Sequence, residues 1–293
     1  MAKFDADLDA RSTGHQVVGR GLWFFANVVL LPALVLTGLV AAWVWFQQET
    51  LLFKPLPLAA NTVLATTPDV KEVVIEVEGA RLSALHLKRD GAKGLVFFLH
   101  GNAGNLQTWF VNIDGYRQAN FDLFMPDYRG YGKSTGEITS ERQLRGDVRA
   151  AYAAVAPQYA GRKVVIYGRS LGTALAAGLA AELANDESRA QPDLTVLVSP
   201  YQSMLALAAD VYPYVPQALL RYPLRTDAAV GGIKSPLLLF HGSNDSLIAP
   251  SHSAALKALA PKAELVLIED AGHNNVQTFA AYRARFFAAL AAL

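Results

Sequence analysis

The chain of 293 residues has no cysteine. That one absence removes disulfides, thiolate metal sites and a Cys nucleophile together. A surplus of either charge is also missing. Lys and Arg number 26 against 25 Asp and Glu, for a net charge of +1. Without a long basic run, nothing resembles a nucleic-acid footprint, so no nucleic-acid partner is expected. No internal repeat occurs, and the Ala-rich stretches read as ordinary helix filler. The cysteine count leaves the compartment open.

Charge is scarcest in one place: from Leu22 to Phe46 there is none. Twenty-five helical residues span about 37 Å, more than the ~30 Å hydrocarbon layer of a bilayer. Trp23 stands at one end, and Trp43 and Trp45 at the other, where amphipathic rings favour the two interfaces. The run is long for a signal peptide, and no clear small-residue cleavage site precedes a polar stretch. The expectation is a retained single-pass anchor over 22–46, preceded by a short tail at 1–21. Lys3, Arg11 and Arg20 lie before it and Lys54 close behind. That bias points to an N-terminus in the cytoplasm, with the bulk of the chain on the outer or periplasmic side.

Pro55 and Pro57 stop a continuing helix, so 47–70 reads as a linker leading into a domain at 71–293. There, short apolar runs alternate with helical stretches. The runs are 73–77, 82–87, 95–99, 121–125, 164–167, 194–198, 237–240 and 265–268, and helices are expected near 105–118, 140–156, 171–185, 251–260 and 275–292. This alternation predicts an α/β domain with a mostly parallel central sheet flanked by helices. The segment 201–233 fits the alternation least. It reads as a modest lid over the sheet edge, or as a plain crossover helix with a long loop.

The chemistry concentrates at sheet edges. Gly168-Arg169-Ser170-Leu171-Gly172 lies between a strand and an Ala-rich helix. A Ser on such a turn has its hydroxyl pushed clear of the backbone. The five-residue pattern alone is weak, because Gly132-Lys133-Ser134-Thr135-Gly136 repeats it without the strand. Nor is that second match a phosphate-binding loop, since Asp127 stands where Walker A needs Gly. Context selects Ser170 as the candidate nucleophile.

A Ser hydroxyl needs a base. His273, after the last predicted strand, fits a base that follows nucleophile and acid in chain order. Among His15, His86, His100, His241 and His252, none has that position. For the acid, Asp245 follows the penultimate strand, with Asp210, Asp227, Glu269 and Asp270 as rivals. Its role would be to hold the imidazole tautomer. An oxyanion needs backbone N–H groups. Leu171 N–H, next to the Ser, is one candidate. The small loop His100-Gly101-Asn102-Ala103-Gly104-Asn105 offers Asn102 first and Ala103 second.

Together these motifs resemble the α/β-hydrolase superfamily, and within it the membrane-anchored abhydrolase-domain serine hydrolases. The resemblance runs over most of 48–275. It is carried by Gln48-Glu49-Thr50-Leu51-Leu52-Phe53, His100 to Asn105, Asp127-Tyr128-Arg129-Gly130-Tyr131-Gly132-Lys133-Ser134, Tyr167 to Gly172, Ser199-Pro200-Tyr201-Gln202-Ser203-Met204, His241-Gly242 through Asp245, and Gly272-His273. It implies esterase, thioesterase or lipase-type chemistry on a small-molecule or lipid-like acyl substrate, with no metal or organic cofactor. It also implies that Tyr128 to Ser134 shape the loop beside the nucleophile. Asn274 departs from relatives that carry Asp there. Peptide cleavage and acyl transfer on the same residues are the neighbouring expectations. A membrane-tethered binding protein with an inactive hydrolase fold is the reading from another class; such proteins usually lack a member of the Ser, His and acid set.

Overall fold

A computed structural model describes residues 23–186, 191–212 and 216–293. The expected tail at 1–21, the start of the apolar segment at Leu22 and the tip of the expected lid at 213–215 lie outside the described residues. The chain divides into two compact units, Met1–Gln48 and Glu49–Leu293.

In the first unit the apolar segment is helical. A π-helical stretch, Phe25–Leu30, leads into α1, Leu31–Leu52. Pro32 has no N–H to donate to the preceding turn, and a wider turn is one way a helix accommodates that loss. The helix Phe25–Leu52 is long and apolar enough to cross a membrane, at about 42 Å by its 28 residues. Its side chains are apolar on every side and largely exposed, Leu34 at 69% and Phe46 at 74% among them. A surface helix of a water-soluble protein would instead confine apolar residues to one stripe.

Helical turns continue past 46 to Leu52, and the stretch 47–70 is not a free linker. Lys54–Pro55 forms β1, paired in parallel with β5, Ala103–Gly104. Leu56 N–H and Leu58 N–H then donate to Gly104 O and Gly132 O. The prolines stop the helix, as expected. The extended chain that follows satisfies its backbone groups against two loops of the second unit instead of against water.

The second unit is built on an eight-stranded sheet. Its strands are β2 Val70–Val77, β3 Ala80–Leu87, β4 Gly94–Leu99, β6 Phe121–Pro126, β7 Lys163–Arg169, β8 Leu194–Val198, β9 Leu237–Gly242 and β10 Glu264–Ile268. They lie in the order β10-β9-β8-β7-β4-β6-β3-β2. Neighbours pair in parallel except where β3 meets β2 and β6. Central strands β4, β6, β7, β8 and β9 are apolar runs buried on both faces, because helices cover both sides.

One face packs against α4 Glu141–Val155, α5 Gly172–Ala184, α7 Asp227–Val230 and α8 Ser251–Leu259; the other packs against α2 Leu106–Trp109, α3 Asp114–Ala119 and α9 Ala280–Ala291. Segment 201–233 contributes α6, Met204–Val211, a 3-10 turn at Gln217–Leu219 and α7. The single helix expected over 105–118 is two short ones. Asn105 caps the first, and Asn112 interrupts at φ 56°, a left-handed conformation that Asn tolerates.

Candidate active site

Strand β7 ends at Arg169 and α5 begins at Gly172, so two residues must reverse the chain. Ser170 sits between them at φ 51°, a region a non-Gly residue enters at a cost of about 1–2 kcal/mol. It is held there from both sides. Ser170 N–H donates to Val198 O (2.9 Å), while Ser170 O accepts from Thr173 N–H (2.9 Å) and Thr173 Oγ1 (2.6 Å).

The two flanking glycines are required by crowding. A Cβ on Gly168 would lie 2.5 Å from Gly172 O, and one on Gly172 would lie 2.1 Å from Leu99 O. This close approach seats the start of α5 directly on the loop that leaves β4. Leu171 opens the helix, so its N–H is among those with no acceptor inside the helix.

Loops after β9 and β10 bring the other two candidates to this turn. His273 Nε2 is 3.0 Å from Ser170 Oγ, and His273 Nδ1 is 2.8 Å from Asp245 Oδ2. Asp245 is buried, and its other oxygen accepts from Leu247 N–H (3.0 Å) and Ile248 N–H (2.8 Å). Burial works to raise the pKa of Asp245. Hydrogen bonds from His241, His273 and Ile248 N–H outweigh it and hold the carboxyl well below the usual range. With the shared proton on Nδ1, Nε2 is left to accept the Ser170 hydroxyl proton. Of the rival acids, Asp210 pairs with His252 (2.8 Å) and Asp227 with Arg225 (2.6 Å).

The loop 100–105 closes the near side. A Cβ on Gly101 would stand 3.5 Å from Ser170 Cβ, so this loop lies against the serine. Its carbonyls are tied down. His100 O accepts from Tyr128 OH (2.8 Å), and Asn102 O from Tyr131 OH (2.6 Å) and Lys54 N–H (2.8 Å). Gly101 O is 2.7 Å from His100 Nδ1. The Asn102 N–H shares that planar peptide and points the opposite way. Ala103, the second candidate, is exposed at the end of the same loop, and its carbonyl accepts from Trp109 Nε1 (2.7 Å).

Three features have no counterpart in the sequence reading. His241 lies on the far side of the acid, Nε2 3.3 Å from Asp245 Oδ2, with Nδ1 2.6 Å from Ser253 Oγ. Arg169, inside the Ser170 turn, is buried and donates through Nη2 to His273 O. Burial pushes its pKa down, against the smaller opposing influence of Tyr167, Tyr282 and Asp245. The strap Lys54–Leu58 braces the loop at 102–104. The one available signal was local: a cation within an otherwise apolar strand end. Among the described residues, no group of three or more His, Asp or Glu side chains is arranged to hold a metal ion.

A family profile described as serine aminopeptidase, S33, matches residues 90–225. Alpha/beta hydrolase domain-containing protein 17B of Homo sapiens is 31% identical over 215 residues, covering 71% of this chain and 70% of that one. Protein 17C of the same series, from Xenopus tropicalis, is 31% identical over 201 residues; the match covers 67% of this chain but spans only 61% of the relative's length. An esterase from Pyrococcus furiosus superimposes with a TM-score of 0.61 at 20% identity, covering 81% of this chain and 96% of the esterase. At that identity the likeness is one of fold.

Proposed function

Because this chain belongs to the alpha/beta hydrolase domain-containing family, we propose that it is a membrane-anchored serine hydrolase that cleaves carboxylic ester or thioester bonds. The observation that carries the reading is the unbroken relay from Ser170 Oγ through His273 to Asp245, at 3.0 and 2.8 Å.

In the proposed cycle, Ser170 Oγ attacks the substrate carbonyl carbon while its proton passes to His273 Nε2. Asp245 stabilises the imidazolium from the other side. The carbonyl oxygen becomes an oxyanion, held by the N–H groups of Leu171 and Asn102. As the tetrahedral centre collapses, the bond to the leaving group breaks. His273 returns the proton to the departing alcohol or thiol, and an acyl-Ser170 ester remains. Water, giving its proton to His273, then attacks that ester. Collapse releases the carboxylic acid and restores the Ser170 hydroxyl.

Arg169 supports this scheme as a positioning residue. Its bond to His273 O holds the histidine loop against the end of β7. The apolar helix Phe25–Leu52 supports the anchor, and the positive residues Lys3, Arg11 and Arg20 favour a catalytic unit on the outer side.

Labelling with a fluorophosphonate probe tests the core claim. The wild type should label and Ser170→Ala should not. A folded wild type that stays unlabelled, or a Ser170→Ala variant that still labels, refutes it. A reporter fused after Leu293 tests the side: a signal from a reporter active only in the cytoplasm contradicts the outward assignment. One observation favours a second reading, peptide cleavage by the same residues: the serine aminopeptidase description of the matching profile. Faster turnover of aminoacyl p-nitroanilides than of p-nitrophenyl esters would select it.

A further inference from the structure

The break in the helix expected over 105–118 leaves space. Two short helices, α2 and α3, cover the sheet where one continuous helix would have packed. Between them and α9 lies a cavity of about 1040 Å³. Single-ligand sites of ~300–1000 Å³ hold drug-sized molecules, so this one is large enough for a ligand. Its deep wall is apolar: Phe98 and Met125 from the sheet and Phe286 from α9, all buried.

Its near wall borders the catalytic groups. Trp109 lines the cavity, and its ring packs on Gly101, where a Cβ would meet it at 2.9 Å. Gly101 in turn lies against Ser170. Ala103 and Gly104 of the same loop line the cavity, as does Asn274, the residue after His273. The space is therefore separated from the proposed nucleophile by Gly101 and the Trp109 ring, and reaches the residue next to the proposed base, on the flank of the sheet opposite α5 and α8.

We propose that this cavity receives the acyl chain of the substrate. Chain length is then read on the α2–α3/α9 flank and not beneath the segment 201–233. The inference rests on the serine-hydrolase reading and adds to it where the apolar half of the substrate lies. Between a carbonyl at Ser170 and this apolar surface stand Gly101 and the Trp109 ring, and the proposal requires the chain to run past that ring. No covalent group is needed in the cavity, because recognition there is burial of methylenes.

The test is kcat/KM of the full chain in nanodiscs for p-nitrophenyl esters from acetate to octanoate. In the wild type it rises about fourfold for each methylene buried, which is the factor for ~0.8 kcal/mol. Ala284→Trp introduces an indole from an exposed position of α9 that lines the cavity. The octanoate value should fall about thirty-fold, the equivalent of two or three methylenes, with acetate unchanged within about twofold. Leu205→Ser, on partly exposed α6, should leave the dependence on chain length as it was. If Ala284→Trp fails to fold, as judged by circular dichroism, Gln118→Trp fills the same cavity from α3.

A filled cavity with the wild-type dependence, or a flattened dependence in Leu205→Ser, overturns the proposal. Acetate hydrolysis and fluorophosphonate labelling separate it from the reading beneath it. If both persist while the chain-length dependence ignores the filled cavity, the acyl site falls alone. A wild type that neither labels nor cleaves any ester overturns both.

Discussion

The pattern Gly-x-Ser-x-Gly occurs twice, and its two copies are built in opposite ways. In Gly132–Gly136 the glycines carry the left-handed backbone, at φ +52° and +74°. In Gly168–Gly172 it is the serine, at φ 51°. Ser134 is spent on structure: its hydroxyl accepts from Ser83 N–H (2.8 Å) and donates to Asp127 O (2.9 Å). Ser170 has its backbone tied on both sides, and its hydroxyl is left to His273. What separates the proposed nucleophile from a structural serine is thus which residue of the turn bears the strain and which partner the hydroxyl has, not the motif.

The sharpest way to break that contrast is to delete each hydroxyl. Ser170→Ala should lower kcat by about 10⁴–10⁶-fold on any ester the wild type cleaves. Ser134→Ala should leave kcat within about threefold, because its hydroxyl touches only backbone. Comparable losses in both variants would dissolve the distinction.

Asp245→Asn comes next. An amide at 245 can favour the wrong imidazole tautomer while Ser170 stays in place, and the expected loss in kcat is about 10³–10⁴-fold. The acid also has a pH signature. Its folded pKa lies below the unfolded one, so the stability it contributes is present above the ordinary carboxylate range, near 4. That stability is lost as pH falls from there through the folded value. The gap in urea-unfolding free energy between wild type and Asp245→Asn should therefore narrow on acidification below pH 4. A gap that widens would contradict the depressed pKa.

Gly172→Ala probes crowding in the first turn. The added Cβ meets Leu99 O at 2.1 Å, so the backbone of β4 or α5 has to shift, at a cost of about 3 kcal/mol in thermal or urea unfolding. Gly136→Ala meets the Ala80 side chain at 3.0 Å and suffers mainly from its positive φ, for about 1–2 kcal/mol. Equal losses would mean that the close approach of helix and strand is not what requires glycine at 172.

Much of this organisation is legible in the sequence, and the rest escapes it for separable physical reasons. Local apolar runs locate all eight strands of the sheet within three residues at each end: β4, β6, β7, β8 and β9 are buried on both faces, and the more exposed edge strands β2 and β10 still carry apolar runs. Candidates Ser170, Asp245 and His273 were readable because each follows a strand, where a parallel sheet gathers its loops on one edge. The strap at 54–58 reads as linker in the sequence, because its pairing with residues some fifty positions away leaves no local mark. The split of the 105–118 helix depends on Asn112 adopting a left-handed conformation that its neighbours do not announce. Arg169 and His241 go unmarked for different reasons: Arg169 acts across the fold on His273 O, whereas His241 is only four residues from Asp245 and meets it through the turn of the loop that leaves β9.

The smallest effects distinguish the two serines as structural elements. Ser134→Ala should destabilise by about 1–3 kcal/mol, because Ser83 N–H and Asp127 O are left buried without a partner. At 170 the sign of one comparison reverses. Ser170→Ala removes the hydroxyl but keeps a Cβ at φ 51°, so the strain remains. Ser170→Gly removes both, and its gain from relieved strain competes with the greater backbone entropy of Gly in the unfolded chain. Strain of about 1–2 kcal/mol against an entropy term of roughly 0.5–1 kcal/mol leaves Ser170→Gly the more stable of the two by up to about 1.5 kcal/mol. The same pair at 134 has no strained serine to relieve, and Ser134→Gly should be less stable than Ser134→Ala. Opposite orders at the two positions in urea titrations would show that the turn at 170 holds its serine in a conformation chosen for the hydroxyl's direction; the same order at both would remove that argument.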